Sequence, residues 1–469
     1  MGLVFGLAEW GSKAHSAALS LDSYLHTYLA QSEDLKIARS NVKSSEADVR
    51  IARDIWAAQF QLEPKVTHTD QDLTSLSSGT RSKFYERQTS VDGKWIQSLP
   101  LGIDLEFNGN KNLEDLDPTF QYEEYRYSGS LIFPLWRNAF GSADRNDIHN
   151  SESLRTAAQN RFEVELLGQC LKGIDLYLQA YNQLGKARVS REKFETAREA
   201  LKIAEHAYGR RLIREVDVLS ARVEFLDAES ELEALLRDEE VSLKELELNA
   251  PDLMLNTTGS SPVQLAVPEW PKEEFPNEPD FASYPELKAA QRAAEAAEWA
   301  MKSEQNRRRL KVDLGVTAGQ SKGRAVQKEF YSYTNEFFGF FLRMEWPFNH
   351  TDRAQIEKTS EESFRQRQEV QKIDKALKLQ WAEAKGDLRV SEAQLKLSNE
   401  KIKHDEKRRK RAFELLRGGR IQYDEYLRYS QSYFAASMRQ IELETSVFGQ
   451  AMTLMQLTGR LPRFCEDQL

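Results

Sequence analysis

The densest run of chemistry-bearing side chains is "KIKHDEKRRKRAFELLRGGR", residues 401 to 420, where nine Lys or Arg stand against three Asp or Glu. Such a run can hold an anion, or it can complement the negative end of a helix dipole with solvated cations. The other reactive residue types form no constellation. The histidines at 15, 26, 68, 149, 206, 350 and 404 are scattered without helical pairing. There is no zinc-protease HExxH pair, phosphate-binding GxxxxGK loop, dinucleotide GxGxxG turn or CxxC pair, so no metal, cofactor or catalytic residue is expected. The chain does not read as an enzyme. Paired carboxylates are abundant, but on charged helices they are solvated faces. Cys170 and Cys465 lie far apart with no metal or redox spacing, which predicts a buried thiol and a tail thiol.

Composition narrows the partners. The 469 residues are 40% hydrophobic and 30% charged, and the mean hydropathy is −0.63, which suits long half-exposed helices better than a compact enzyme. A net charge of −9 argues against a nucleic-acid partner. No stretch approaches the ~20 apolar residues of a membrane helix, which leaves a soluble protein or a β-barrel. The start, "MGLVFGLAEWGSKAHSAALSL", has an apolar patch and a small-x-small site at Ala14-His15-Ser16 but no basic leader. It fits a secretion-signal remnant or a disordered end.

Prolines parse the rest. "SGSLIFP" ends at Pro134 and "EFFGFFLRMEWP" at Pro347, and proline-free blocks follow, 135 to 250 and 348 to 461. Proline is costly inside helices, so both blocks read as long helical hairpins and the chain reads as duplicated. "QSEDLKIARS" at 31 and "SYPELKAAQR" at 283 support the repeat, and Asp217 and Asp424 each follow a basic turn. Ala221, Phe225, Ala228, Leu232 and Leu235 keep a four-three spacing, as do Leu377, Trp381, Ala384, Leu388 and Ser391. Alternating small and large residues on such seams fit antiparallel coiled coils. "GRRLIRE" at 209 to 215 and "RGGRIQY" at 417 to 423 are the hairpin turns. A long helix near 138 to 209 would run about 105 Å, with return legs near 214 to 250 and 284 to 308. The second half repeats this near 350 to 417 and 424 to 461, with a single helix near 21 to 58 as complement.

Period-two segments lie between the helical legs. Leu99, Leu101, Ile103, Leu105 and Phe107 alternate with polar residues, glycine or proline; so do Leu310, Val312, Leu314 and Val316, and the run Phe338, Phe340, Leu342, Met344, Trp346. Phe60 to His68 and Tyr125 to Phe133 follow more loosely. Segments of about 10 residues with one apolar face fit membrane-barrel strands. Leu101, Ile103, Leu105, Leu314, Val316, Phe340 and Leu342 are then expected to face lipid. A half that leaves and returns to the helical side needs an even number of strands, yet only three are visible in the first half. Either one is extracellular or a fourth hides in "FYERQTSVDG", residues 84 to 93.

The order strand, proline, large residue, polar glycine-containing helix start, as in Pro134-Leu135-Trp136-Arg137-Asn138-Ala139-Phe140-Gly141 and Pro347-Phe348-Asn349, resembles the TolC-type outer-membrane efflux channels. So do the turns followed by an aspartate in "RLIREVDVLSAR" and "GGRIQYDEYLRYS", and "LPLGIDLEF" resembles a segment of longer relatives. The resemblance spans about residues 20 to 461. It implies a mainly α fold with β: duplicated long antiparallel hairpins forming a trimeric periplasmic α-barrel, plus strands contributed to a shared outer-membrane β-barrel. The divisions expected are a tail or signal remnant (1–19), a first repeat (20–250), a Pro-rich linker (251–283), a second repeat (284–461) and a C-terminal tail (462–469). It further implies an exit duct in the outer membrane of a Gram-negative bacterium, reaching into the periplasm. The implied partners are two further copies of the chain, a periplasmic adaptor, an inner-membrane RND or ABC transporter, and outer-membrane lipid. By the same resemblance the adaptor meets the turns at Arg211, Leu212, Ile213, Arg214 and Asp217, and at Gly418, Gly419, Arg420 and Ile421. Two acidic residues three apart line the constriction in the family's second repeat. Asp424 matches the first and Leu427 replaces the second, with Arg417, Arg420, Arg211 and Arg214 as cations available to Asp424. A different class, a soluble coiled-coil scaffold, would account for the helices and not for the strands.

Overall fold

The computed structural model describes residues 19–74, 81–116, 120–251, 265, 275–276, 279–326, 330–345 and 350–458. The Ala14-His15-Ser16 site, Trp346, Pro347-Phe348-Asn349 and Cys465 lie outside these residues. In chain order the elements are α1 (Leu21–Gln31), α2 (Glu33–Arg53), β1 (Gln59–Thr74), β2 (Arg81–Ser98), β3 (Asp104–Leu116), β4 (Phe120–Pro134), α3 (Ser142–Gly209) and α4 (Glu215–Asn249). Then come α5 (Pro285–Arg307), β5 (Lys311–Val326), β6 (Phe330–Glu345), α6 (His350–Arg417) and α7 (Tyr423–Leu457). Both long helices have 68 residues and both return helices have 35, as a duplication requires. The helix expected over 21 to 58 is divided at Ser32, whose hydroxyl accepts the Leu35 N–H (3.4 Å) and so recaps the chain. Among the described residues no helix is long and apolar enough to cross a membrane.

The chain forms two compact units, one of residues 1–39, 161–287 and 373–469, the other of 40–160 and 288–372. In the first, Tyr24, Leu25 and Tyr28 of α1 pack on Leu167, Ile174 and Tyr177 of α3, with Leu246 of α4 and Phe448 and Met452 of α7 closing the cluster. Gln169 is buried there and fully engaged: it accepts the Tyr28 hydroxyl (2.9 Å) and donates to Asp34 (2.8 Å) and Glu165 (2.9 Å), as a buried amide must. Cys170 sits in the same cluster and is disulfide-bonded rather than a free thiol, correcting the expectation from spacing. Farther along, Ala197, Ala200 and Ala204 of α3 and Ala221 and Ala228 of α4 are buried. Ala221 and Ala228 belong to the four-three pattern, whose Phe225 meets Phe194 of α3 at 5.3 Å between ring centroids.

The second unit contains one six-stranded antiparallel sheet in the order β1-β2-β3-β4-β5-β6, with β1 and β6 as edges. The first half therefore has four strands, and the fourth runs through "FYERQTSVDG". Register gives one face an apolar band from edge to edge: Phe60, Trp95, Phe107, Gly129, Ala318 and Phe338 stand in one row. In the next, Leu105, Leu131, Val316 and Phe340 align, and Leu314 pairs with Leu342 beyond them. Phe60, Phe107, Phe338, Phe340 and Leu342 are more than half exposed.

The opposite face carries Lys94 paired with Glu106 (3.3 Å), Ser130 bonded to Thr317 (3.1 Å) and Ser321 donating to Glu124 (2.8 Å). On this face the rings of Phe341, Phe337 and Tyr333 of β6 lie on Gly315, Gly319 and Gly323 of β5, so closely that a Cβ at any of the three would overlap the ring.

Two expected lipid-facing positions are not strand residues. Leu101 lies in a turn and Ile103 just before β3, because Gly102 adopts φ +73° and turns the chain. A Cβ on Gly102 would come within 2.8 Å of the Gly141 nitrogen. "LPLG" is thus a turn packed on the start of α3, where Asn138 caps the helix by accepting the Ala143 N–H (2.9 Å).

Candidate functional site

The two hairpin turns have the same backbone. At the first, the Arg211 N–H reaches the Tyr208 carbonyl (2.8 Å) and the Leu212 N–H the Ala207 carbonyl (2.9 Å). At the second, Gly419 reaches Leu416 (2.9 Å) and Arg420 reaches Leu415 (2.8 Å). These are helix-ending bonds that require a left-handed residue, and Arg211 and Gly419 supply it at φ +61° and +68°. Glycine does so freely; a residue with a Cβ pays about 1–2 kcal/mol. The match equates Arg211 with Gly419, so Asp217 corresponds to Glu425 and Asp424 to Val216. The pairing of Asp217 with Asp424 suggested by their shared position after a basic turn is therefore one residue out of register.

The tips pack through Ala200, Ala204, Ala221, Ala412, Tyr423 and Tyr426, with Ile213, Leu416, Ile421 and Leu427 half-buried against them. Tyr423 and Tyr426 were not singled out by sequence, and burial raises both phenols above their ordinary range. Asp217 is buried: its Oδ2 accepts the Arg214 N–H (3.0 Å), closing the first turn of α4, and its Oδ1 lies 3.4 Å from the Arg214 guanidinium. Three cations of the basic run are likewise engaged, on α6 itself and across to α3 and α7. Arg409 pairs with Glu192 (2.9 Å) and stacks over Tyr433 at 4.2 Å, Arg408 lies over Tyr429 at 4.6 Å, and Lys410 pairs with Glu406 (2.6 Å).

Between the turns lies an open cleft of about 1070 Å³, lined by residues of both, with Gly418 and Gly419 in its wall. Lys202, Arg210, Arg211, Arg417 and Arg420 line it and make no ion pair among the described residues; Arg214 has Asp217. Asp424 is exposed, also without an ion pair among those residues, so no arginine holds it within one chain; its carbonyl accepts from Arg428 (3.4 Å). Leu427 lies against the tip cluster rather than beside Asp424 in solvent. Sequence reading passed over a stripe that continues from Leu212 of the turn along α4: Leu212, Val216, Leu219, Val223 and Leu226, spaced four, three, four, three, are each more than half exposed. Its heptad spacing is the signal that could have found it.

No group of three or more metal-ligating side chains occurs among the described residues. What the tip offers is a cleft lined by cations and apolar side chains, with an exposed apolar stripe that starts at Leu212 in its lining.

No protein-family model matches the chain, and no curated protein matches it. Solved structures do. The outer membrane channel CmeC of Campylobacter jejuni aligns with a TM-score of 0.71 at 13% identity, over 94% of this chain and 85% of that one. The outer-membrane channel OprN gives 0.69 at 14% identity over 94% and 89%. The outer membrane protein VceC from Vibrio cholerae gives 0.69 at 13% identity over 94% and 96%. With its 68- and 35-residue helices each present twice and its six-stranded sheet, this chain has the fold of these outer-membrane channels.

Proposed function

We propose that the chain is a passive outer-membrane exit duct of a tripartite efflux or type I secretion system in a Gram-negative bacterium. The observation that carries the reading is the sheet, with an apolar band across one face, a mainly polar opposite face, and β1 and β6 left as open edges. In lipid an open edge leaves backbone groups unpaired at several kcal/mol each. Copies joined edge to edge remove that cost, and three such sheets form one barrel with a polar lumen. The two repeats, 20–250 and 284–461 joined by 251–283, then supply the helices of a periplasmic tunnel.

In this reading an adaptor meets the turns at Arg211 to Arg214 and Gly418 to Ile421, and an inner-membrane RND or ABC transporter feeds the duct. Asp424 and Leu427 stand at the constriction. The chain brings no nucleotide-binding motif, so energy comes from the transporter. Purified protein inserted into a planar bilayer should give discrete conductance steps; a preparation that inserts and conducts nothing refutes the duct. Release from membranes by salt alone would point instead to the coiled-coil scaffold.

A further inference from the structure

We propose that the cleft between the two hairpin turns receives an acidic protein segment, a helical tip that presents an apolar residue flanked by carboxylates. The proposal rests on the duct reading, in which these turns face a partner, and it names that partner's chemistry. Three observations carry it. The first is charge. In a chain of net charge −9, Lys202, Arg210, Arg211, Arg417 and Arg420 converge on one cleft without an ion pair among the described residues. Nearby cations of the same run do find carboxylates or rings. Lys202 from α3 and Arg417 from the end of α6 thus share one cleft with Arg210, Arg211 and Arg420 of the turns.

The second is strain. The second turn shows that glycine makes this backbone, yet the first turn makes it with Arg211 at φ +61°. The turn alone does not account for an arginine in a strained conformation whose guanidinium makes no ion pair among the described residues. The third is the apolar lining. Ile213, Leu416 and Ile421, half-buried against the tip cluster, line the cleft together with the cations, so it offers the mixed apolar and charged surface of a protein-binding site. A bare phosphate or a nucleic acid would use the cations and leave the apolar lining wet.

The test uses the full-length protein in detergent and a fluorescein-labelled helical hairpin peptide whose tip carries one leucine between four glutamates, with glutamine and lysine versions as controls. Fluorescence anisotropy should show the glutamate peptide binding at least about tenfold more tightly than the glutamine peptide at low salt, with the difference shrinking as salt screens it. Arg211→Gly removes the cation and relieves the strain. It should weaken glutamate-peptide binding while leaving the melting temperature unchanged or raised. Arg420→Glu should transfer preference to the lysine peptide. Equal affinity for the glutamate and glutamine peptides, or undiminished binding by Arg211→Gly, overturns the proposal. So does inorganic polyphosphate of equal charge binding as tightly as the peptide, since that would make the cleft a general polyanion surface. Conductance of the same preparation separates a failure here from a failure of the duct.

Discussion

Placing an arginine at Phe340 tests whether the apolar face of the sheet meets lipid. Phe340 is 70% exposed and lies opposite Val316, with its ring edge-on to Phe338 at 4.9 Å. A phenylalanine side chain offers about 200 Å², so roughly 140 Å² of Phe340 is presented outward. At about 25 cal/mol per Å², that area contributes about 3.5 kcal/mol when an apolar medium covers it. The measured cost of arginine on a barrel's lipid face near the midplane is about 2–4 kcal/mol. Both routes converge near 3 kcal/mol, or about two orders of magnitude in the folded population. The control is Asn335→Arg, two residues beyond Phe337 on the polar face and opposite Ser321. Guanidinium unfolding in lipid nanodiscs, followed by tryptophan fluorescence, should show Phe340→Arg destabilised by that amount and Asn335→Arg nearly neutral. Two variants with the same midpoint would mean that the apolar face is covered by something other than lipid, and the barrel would lose its main support.

In mild detergent the particle mass should be about three times the 54.0 kDa chain; a stable monomer contradicts closure by copies. Asp424→Ala should raise resting conductance if carboxylates of neighbouring copies are held by turn arginines in the closed state, an exposed pairing worth about 1 kcal/mol each and weakened by salt. Unchanged conductance at low salt would assign the seal to Leu427 and its apolar neighbours. Glu224 of α4 is held above the usual carboxylate range chiefly by burial, against the opposing bond from Gln431 (3.1 Å). A raised carboxyl favours the folded state when protonated, so its contribution is full below the ordinary glutamate range and is lost as pH rises through the folded value. Glu224→Gln should therefore raise the melting temperature at neutral pH and flatten its fall between acid and neutral pH; a variant with the native pH profile contradicts the burial argument.

Long-range order was legible because proline and helical period act over many residues. The block from 350 to 417 was bounded to the residue, since Pro347 and the Gly418-Gly419 pair punctuate both ends. Strand β2 was hidden because its apolar face holds Gly93 between Val91 and Trp95, and glycine erases the alternation that reveals a strand. "LPLGIDLEF" failed in the opposite way. Its second half, Asp104 to Phe107, is the start of β3, but Gly102 at positive φ turns the chain, so hydropathy imitated a strand over Leu99 to Ile103. At the tips, Asp217, the arginines and the glycines were found from their place in the turns, whereas the strain at Arg211 was not. Arginine carries no local signal for a left-handed backbone, and only superposition on Gly419 makes it visible. The Asp217–Asp424 match erred because both follow basic turns, while the capping bond belongs to the third helical residue, which is Glu425 in the second repeat.

The rings laid over Gly315, Gly319 and Gly323 constrain how this sequence can change over generations. Any larger residue at Gly315 collides with Phe341 while the aromatic ring is present, whereas Phe341 can shrink over a glycine at the cost of lost contact alone. A viable route to a filled position therefore runs ring first and glycine second. The same order applies at Tyr333 with Gly323, whereas at Gly319 a Cβ would also overlap the Tyr127 carbonyl oxygen, so losing the Phe337 ring does not open that position. Descendant sequences should contain small residues facing glycine on these two strands and should lack alanine facing an intact ring, so an ancestry written in such pairs can be read in one direction only.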